Sequence, residues 1–398
     1  MTSVLIWDII TFFRFLKITY HNSHVTQPLG GNRRLTIVKR DYVSETRAWY
    51  KLRAKLTWVT YFTILGLSLH HGYSISDNLN VEVLVEDLPE CLDGYKIGML
   101  SDVHAGPVIG KAGIKKHVEA LNVDEPDLIL LAGDMADGPD TQVGKALEPI
   151  FDMVNKPRDG IYFVTGNHEY LHGGDGNKWM QFWESHGVKA LNNEMVSIPP
   201  RNVRPLAQNG CNSTFDLAGT SDYSEGGSDI NKAVSGFHKD SLHVLVAHQP
   251  REALRAGELT GDKQIHLQIS GHVHAGQIFP LHIFDYNSNK GLFTGFQVVK
   301  NTKLYVGEGT VGWGPRNRLF SSNERTILTM KKRAEDINED LLEKQEDRGS
   351  FVWGLRLAWI AVVLQFVSCL GLVCSPPARK LLSSLCGIGR HGARGLQL

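Results

Sequence analysis

Leu128-Ile129-Leu130-Leu131-Ala132-Gly133-Asp134 and Tyr162-Phe163-Val164-Thr165-Gly166-Asn167-His168-Glu169 share one design: a short apolar run, a glycine, then polar side chains suited to binding a cation. Such a run, of strand length and without helical period, reads as a strand buried on both faces. Tyr95 to Leu100, Ile161 to Val164, His243 to Ala247, Ile265 to Ser270 and Leu304 to Val306 are of the same kind, and each ends in a polar or glycine-containing block. Helical periodicity falls between them, at Lys111 to Leu121 and Asn177 to His186. Strands alternating with helices predict an α/β fold with sheets covered by helices. Ligand-bearing side chains then belong on loops at the strand ends.

The polar blocks come in order: Asp102-Val103-His104, Gly133-Asp134, Gly166-Asn167-His168-Glu169, Ala247-His248 and Gly271-His272-Val273-His274. Asp, Asn and His offer carboxylate, carbonyl and imidazole donors, which hard to borderline divalent metals accept. Seven such groups exceed the needs of one ion. Joined by a bridging carboxylate they suit two adjacent ions, the arrangement that cleaves phosphate esters. In an extended backbone alternate side chains share a face, so Asp102 and His104 are expected to point one way while Val103 packs inward; His272 and His274 alternate likewise.

This ordered set, from Asp102 to His274, resembles the calcineurin-like metallophosphoesterase superfamily. The flanking text Ser270-Gly271-His272-Val273-His274-Ala275-Gly276-Gln277-Ile278, and the tail from Tyr305-Val306-Gly307-Glu308-Gly309 to Gly314-Pro315-Arg316, are similar to its membrane-associated branch of YkuE-type enzymes and an animal transmembrane protein with a metallophosphoesterase domain. The resemblance covers roughly residues 90–332 and implies a four-layer α/β/β/α sandwich. It implies a first metal site of Asp102, His104, Asp134 and His274, and a second of Asp134 (bridging), Asn167, His248 and His272. His168 is then the catalytic residue beside the metals, binding phosphate or protonating the leaving alkoxide, with Glu169 placed to orient it. The nucleophile is a metal-bound hydroxide, and the ions are two of Mn, Zn or Fe. No substrate-binding residue is assigned. Tyr170, His172 and Arg316 lie near enough in sequence to be candidates, whereas His117, His186, His243, His266 and His282 match no motif position.

Composition narrows the partners. Lys+Arg 42 equals Asp+Glu 42, and no basic, aromatic-rich stretch adjoins the motifs, so nucleic acid is not expected. The 5 cysteines form no C-x-x-C pair. Cys91 and Cys211 could pair in a lumen, with free buried thiols as the alternative; Cys369, Cys374 and Cys386 are candidates for palmitoylation. Residues 1–55 are an N-terminal region with no cleavable signal peptide and a basic stretch, expected in the cytoplasm. Residues 56–71 are a candidate transmembrane signal-anchor, short for a span, with a buried or interfacial helix as the alternative. Residues 90–332 form the metallophosphoesterase domain, 333–350 a charged linker, 351–374 a candidate transmembrane helix and 375–398 a basic tail. Basic flanks on both candidate spans place the catalytic domain outside the cell or in a lumen, where Asn212-Ser213-Thr214 is a glycosylation acceptor. The chain therefore reads as a membrane-anchored dinuclear phosphoesterase cutting a monoester or diester, with a lipid-linked substrate favoured. A catalytically vestigial membrane binding or structural protein is the first alternative, and a nuclease the second.

Overall fold

The computed structural model describes residues 55, 58–59, 61–75, 78–86, 88–198, 215–239, 241–277, 286–319 and 321–332. The basic N-terminal region up to residue 54, the glycosylation triplet, the linker, the candidate span 351–374 and the tail lie outside the described residues. So do all cysteines except Cys91.

Two six-stranded sheets dominate. The first comprises β1 (Leu79–Val85), β2 (Lys96–Leu100), β3 (Leu128–Leu131), β4 (Ile161–Phe163), β5 (Lys189–Ala190) and β12 (Thr326–Lys332), in the order β1-β12-β2-β3-β4-β5. The second comprises β6 (Glu194–Ile198), β7 (Phe215–Gly219), β8 (Leu242–Val246), β9 (Leu267–Ser270), β10 (Gly295–Val299) and β11 (Thr302–Val306), in the order β10-β11-β9-β8-β7-β6. Strands β2 to β5 pair in parallel, as do β7, β8, β9 and β11. All six strands expected from the apolar runs are present.

The side-chain period of two sorts each strand between two cores. Ile97, Met99, Leu128 and Leu130 of the first sheet share one buried cluster with Val244, Val246, Leu267 and Ile269 of the second. The alternate residues Leu100, Ile129 and Leu131 turn to the other side, where Ile114, Val118 and Leu121 of helix α1 (Lys111–Asn122) join Trp179 and Trp183 of helix α2 (Gly176–Ser185). Leu245 and Ala247 do the same on the second sheet, against Ile230, Ala233 and Ala256. Each sheet thus has one face on the shared core and the other on helical cover. Asp175 starts α2 by accepting from the backbone N–H of Asn177 and Lys178, the usual use of an acidic N-cap.

The strands that the apolar runs did not reveal have physical reasons for hiding. Strand β7 carries Asp216 in mid-run, fully buried with Ser197 and His238 as donors. Strand β1 is an edge and leaves Leu79 exposed; β5 is two residues long.

Residues 61–73 form a helix. Tyr61, Phe62, Ile64, Leu67, Leu69 and Tyr73 on it are exposed, as is Trp58 before it. Among the described residues no helix is long and apolar enough to cross a membrane.

Candidate metal centre

Strands β2 and β3 stay hydrogen-bonded beyond their ends. The Asp102 N–H donates to the Gly133 carbonyl at 3.0 Å and the His104 N–H to the Asp134 carbonyl at 3.0 Å, with Ala105 bridging Ala136. The backbone there is not extended. Asp102 (φ 54°), His104 (φ 49°), Asp134 (φ 53°), His272 (φ 77°) and His274 (φ 49°) all lie in the left-handed region. Simple alternation is therefore not what aligns Asp102 with His104 or separates His272 from His274: a turn at each donor does. Val103 is buried as expected. Such backbone costs on the order of 1–3 kcal/mol per residue and persists only where the surroundings enforce it.

Asp102, His104, Asp134 and His274 each bring one donor atom to a common point, all within 4.8 Å of one another. His104 Nε2 lies 3.3 Å from His274 Nε2 and 3.9 Å from Asp134 Oδ2, and His274 Nε2 lies 3.4 Å from Asp102 Oδ1. Asp134, His248 and His272 form a second such group, with His248 Nε2 3.1 Å from Asp134 Oδ2. Asp134 belongs to both. Main-chain donors fix these carboxylates: the His272 N–H reaches Asp102 Oδ1 at 3.0 Å and the His168 N–H reaches Asp134 Oδ1 at 2.8 Å. The His248 ring is set by its Nδ1, which donates to the Ala132 carbonyl at 2.8 Å and leaves Nε2 facing Asp134.

Glycines make this crowding feasible. A Cβ on Gly166 would lie 2.2 Å from Asp134 Oδ1, and one on Gly271 would lie 2.5 Å from Asp102 Oδ2. Asn167 follows Gly166, and its Oδ1 is buried with no hydrogen-bond partner. A buried acceptor left unsatisfied costs about 1–3 kcal/mol.

Asp137, which the sequence did not single out, is the partner of His168. Its Oδ1 is 2.6 Å from His168 Nδ1 and 2.8 Å from His104 Nδ1. The carboxylate following Asp134 on the same loop was the available signal. Glu169 does not orient His168 by a hydrogen bond. Its buried carboxylate turns instead to the backbone, accepting from the N–H groups of Asp134, Met135, Ala136 and Gly166, and so clamps the loops after β3 and β4 together.

Burial and charge pull these groups in opposite directions. Burial disfavours ionised Asp134, but the imidazoles of His248 and His104 hold its carboxyl well below the ordinary range. Burial also lowers His248, and the charges of Asp134 and Asp102 overcome this, pushing it up to about 10. Burial with the neighbouring His248 takes His272 down to about 3, and burial with His104 takes His274 well below its usual value. Burial of His168 is outweighed by the hydrogen bond its Nδ1 donates to Asp137 and the charge of Asp134, and its net shift is upward. The result is a compact set of carboxylate oxygens, one unsatisfied amide oxygen and imidazoles, of which His272 and His274 are held neutral, a donor set that fits divalent metal binding.

The other candidates sort themselves out. Arg316 lies with its guanidinium 4.5 Å from the Tyr73 ring centroid. Tyr170 OH lies 3.3 Å from Thr165 Oγ1 and packs beside α2. His172 is exposed, its ring 5.6 Å from that of His168. His117 and His243 are buried away from the donor sets, and His282 is outside the described residues.

Residues 95–276 match the sequence model of the calcineurin-like phosphoesterase family. The transmembrane protein with metallophosphoesterase domain of Danio rerio is 35% identical over 263 residues, covering 64% of this chain and 57% of its own length. That of Bos taurus is 37% identical over 258 residues, 63% of this chain and 56% of its own length. The metallophosphoesterase YkuE of Bacillus subtilis is 29% identical over 249 residues, 61% of this chain and 82% of its own length. The chain thus spans little more than half the length of the two animal relatives. Motif order, two-sheet architecture and sequence match agree, and the resemblance of residues 95–276 to the calcineurin-like metallophosphoesterases, in the branch that holds YkuE and the transmembrane relatives, is established.

Proposed function

We propose that this chain is a metal-dependent phosphoester hydrolase with a dinuclear centre. The observation that carries the reading is the pair of donor groups sharing Asp134, with the unpartnered Asn167 Oδ1 beside them. Asp102, His104, Asp134 and His274 would hold one ion, and Asp134, Asn167, His248 and His272 the other. Bound there, two divalent cations supply Lewis acidity, acidifying water and neutralising charge on the phosphoryl group. His168 binds a phosphoryl oxygen or gives its proton to the departing alkoxide, and Asp137 at Nδ1 fixes the ring so that Nε2 is free for this. Glu169 holds the two loops in register without touching substrate.

A membrane setting and an amphiphilic, lipid-linked phosphoester are the finer part of the proposal. The helix over 61–73 offers apolar side chains to its surroundings. Val108, Leu171 and Trp313 are exposed on segments that follow or adjoin the donor loops. Trp313 is held there by Gln277, which accepts from its N–H and donates to its carbonyl at 2.7 Å, while the preceding Gly312 N–H bonds to the Asp102 carbonyl. An extracytoplasmic or lumenal catalytic domain is supported by Cys91, which is disulfide-bonded, a bond that persists in oxidising compartments.

The test uses the full-length protein with added Mn or Zn, assayed on generic monoesters and diesters and on phospholipid-like esters in mixed micelles. Turnover with two ions per chain, lost in Asp134→Asn and His168→Ala, supports the reading. A folded protein with neither metal nor turnover overturns it in favour of a vestigial site. Resistance of Cys91 to maleimide in intact membranes until a reductant is added supports the topology; ready labelling sinks it.

A further inference from the structure

The two donor groups are held by different means. The first is locked by direct contacts: the His272 N–H on the Asp102 carboxylate, the Val311 and Gly312 N–H groups on the Asp102 carbonyl, and the fully buried Arg318 on the His274 carbonyl at 3.4 Å. The second must bring Asn167, beyond the end of β4 in one sheet, to His248, beyond the end of β8 in the other.

Between those loops runs the turn after β7, and Asp222 on it is 0% exposed. Its N–H donates to Thr165 Oγ1 at 3.1 Å, two residues before Asn167. Its carboxylate accepts from Gln249 Nε2 at 2.9 and 3.2 Å, one residue after His248. The Ser224 and Glu225 N–H groups each reach Oδ1 at 2.9 Å and fix the carboxylate in place. One residue therefore joins the Asn167 loop to the His248 loop across the two sheets, and its charge acts on His248. Buried polar groups that are fully satisfied and connected in this way set geometry, and residues that orient ligands govern metal affinity without touching the ion.

We infer that Asp222 is a positioning residue for the second cation, setting the separation of Asn167 and His248 through Thr165 and Gln249; this rests on the dinuclear reading above. None of these contacts reaches a donor of the first group; Asp134, which both groups share, is held separately by the His168 N–H. Loss of Asp222 should therefore be felt at one ion and not the other, which a general loss of stability would not produce.

The experiment is a Mn(II) titration of the full-length protein, read by bound metal and by the electron paramagnetic resonance signal that distinguishes a lone Mn(II) from a coupled pair. Wild type is expected to bind two ions and show the coupled signal. Asp222→Asn is expected to bind the first ion unchanged and the second about 10–100-fold more weakly, with the coupled signal returning at high Mn(II). Thr165→Val, which removes the acceptor for the Asp222 N–H, should weaken the second ion in the same sense, and it decides the matter if Asp222→Asn does not fold. Wild-type affinity for both ions in these variants, or equal weakening of both, overturns the inference. A wild type that takes fewer than two ions overturns the dinuclear reading itself, and the assignment to Asp222 with it.

Discussion

Asp137 Oδ1 lies 2.6 Å from His168 Nδ1, and the same oxygen lies 2.8 Å from His104 Nδ1. One carboxylate thereby sets the orientation of the proposed acid and of a proposed ligand. His168→Ala should lower turnover by about 10²–10⁴-fold, the usual share of a positioned acid–base group, while leaving two ions bound. Asp137→Asn should lower both turnover and affinity for the first ion, by about 10–100-fold. Parallel measurement of kcat and metal content separates the two variants; identical metal binding in both would refute the shared role of Asp137.

Gly166→Ala places a Cβ 2.2 Å from Asp134 Oδ1 and 2.6 Å from the Asp134 nitrogen. Overpacking of this kind costs about 1–3 kcal/mol. Here the displaced atom is the carboxylate that both donor groups share, so bound metal should fall at both sites. Metal analysis of the purified variant checks this, and retention of two ions would show that the loop yields elsewhere.

Glu169→Gln keeps the shape of the side chain but turns an NH₂ group toward backbone N–H donors that now converge on a carboxylate. Burial and the charge of Asp134 push the Glu169 carboxyl up to about 8, so the cost is taken from the buried donors left unsatisfied, about 1–3 kcal/mol. A loss of that size is expected in denaturant unfolding, with no direct effect on the leaving-group proton. A variant as stable as wild type would mean that the loops after β3 and β4 are held by other contacts.

His117 makes the acid stability of the fold testable away from the metal centre. Burial, then the charges of Arg325, Arg316 and Arg318, take its imidazole down to about 3, and Arg325 Nη1 sits 3.0 Å from its Nδ1. In the unfolded chain a histidine titrates near about 6.5. Above that pH both states are neutral and the group contributes no slope. Below it the unfolded state takes a proton that the folded state refuses, so stability falls, by up to about 1.4 kcal/mol per pH unit, until pH reaches about 3. His117→Gln should flatten the stability–pH curve between about 6.5 and 4 by one proton. An unchanged slope would show that His117 protonates in the fold.

The donors were legible because each stands at the end of an apolar run, where a parallel strand delivers its loop. The geometry that joins them was not. Positive φ at Asp102, His104 and His274 is a property of the packed loops, since an aspartate or histidine visits that region only when its surroundings require it. Asp137 also escaped, and Asp222, in a loop Gly219-Thr220-Ser221-Asp222 similar to one of the YkuE-type branch, carried no assignable role, for a related reason. A carboxylate on a loop reads as a turn residue or cap until the structure reveals what it accepts from. The resemblance implies Glu169 as the orienter of His168, and its carboxylate accepts from main-chain amides instead. Buried Asp216 likewise disguised β7, a strand that an all-apolar pattern would have announced.

The strand order of the first sheet places β12 between β1 and β2, and the donors are divided between that sheet and its neighbour. During synthesis the ribosome delivers Asp102, His104, Asp134 and Asn167 well before His248, His272 and His274. The second donor group is complete only when residue 272 has emerged and the first when residue 274 has, and the first sheet stays open until Thr326–Lys332 arrives to fill the gap. On the proposed dinuclear reading a nascent chain cannot complete either site in passing: metal capture would be a late event, following the synthesis of strands from both sheets.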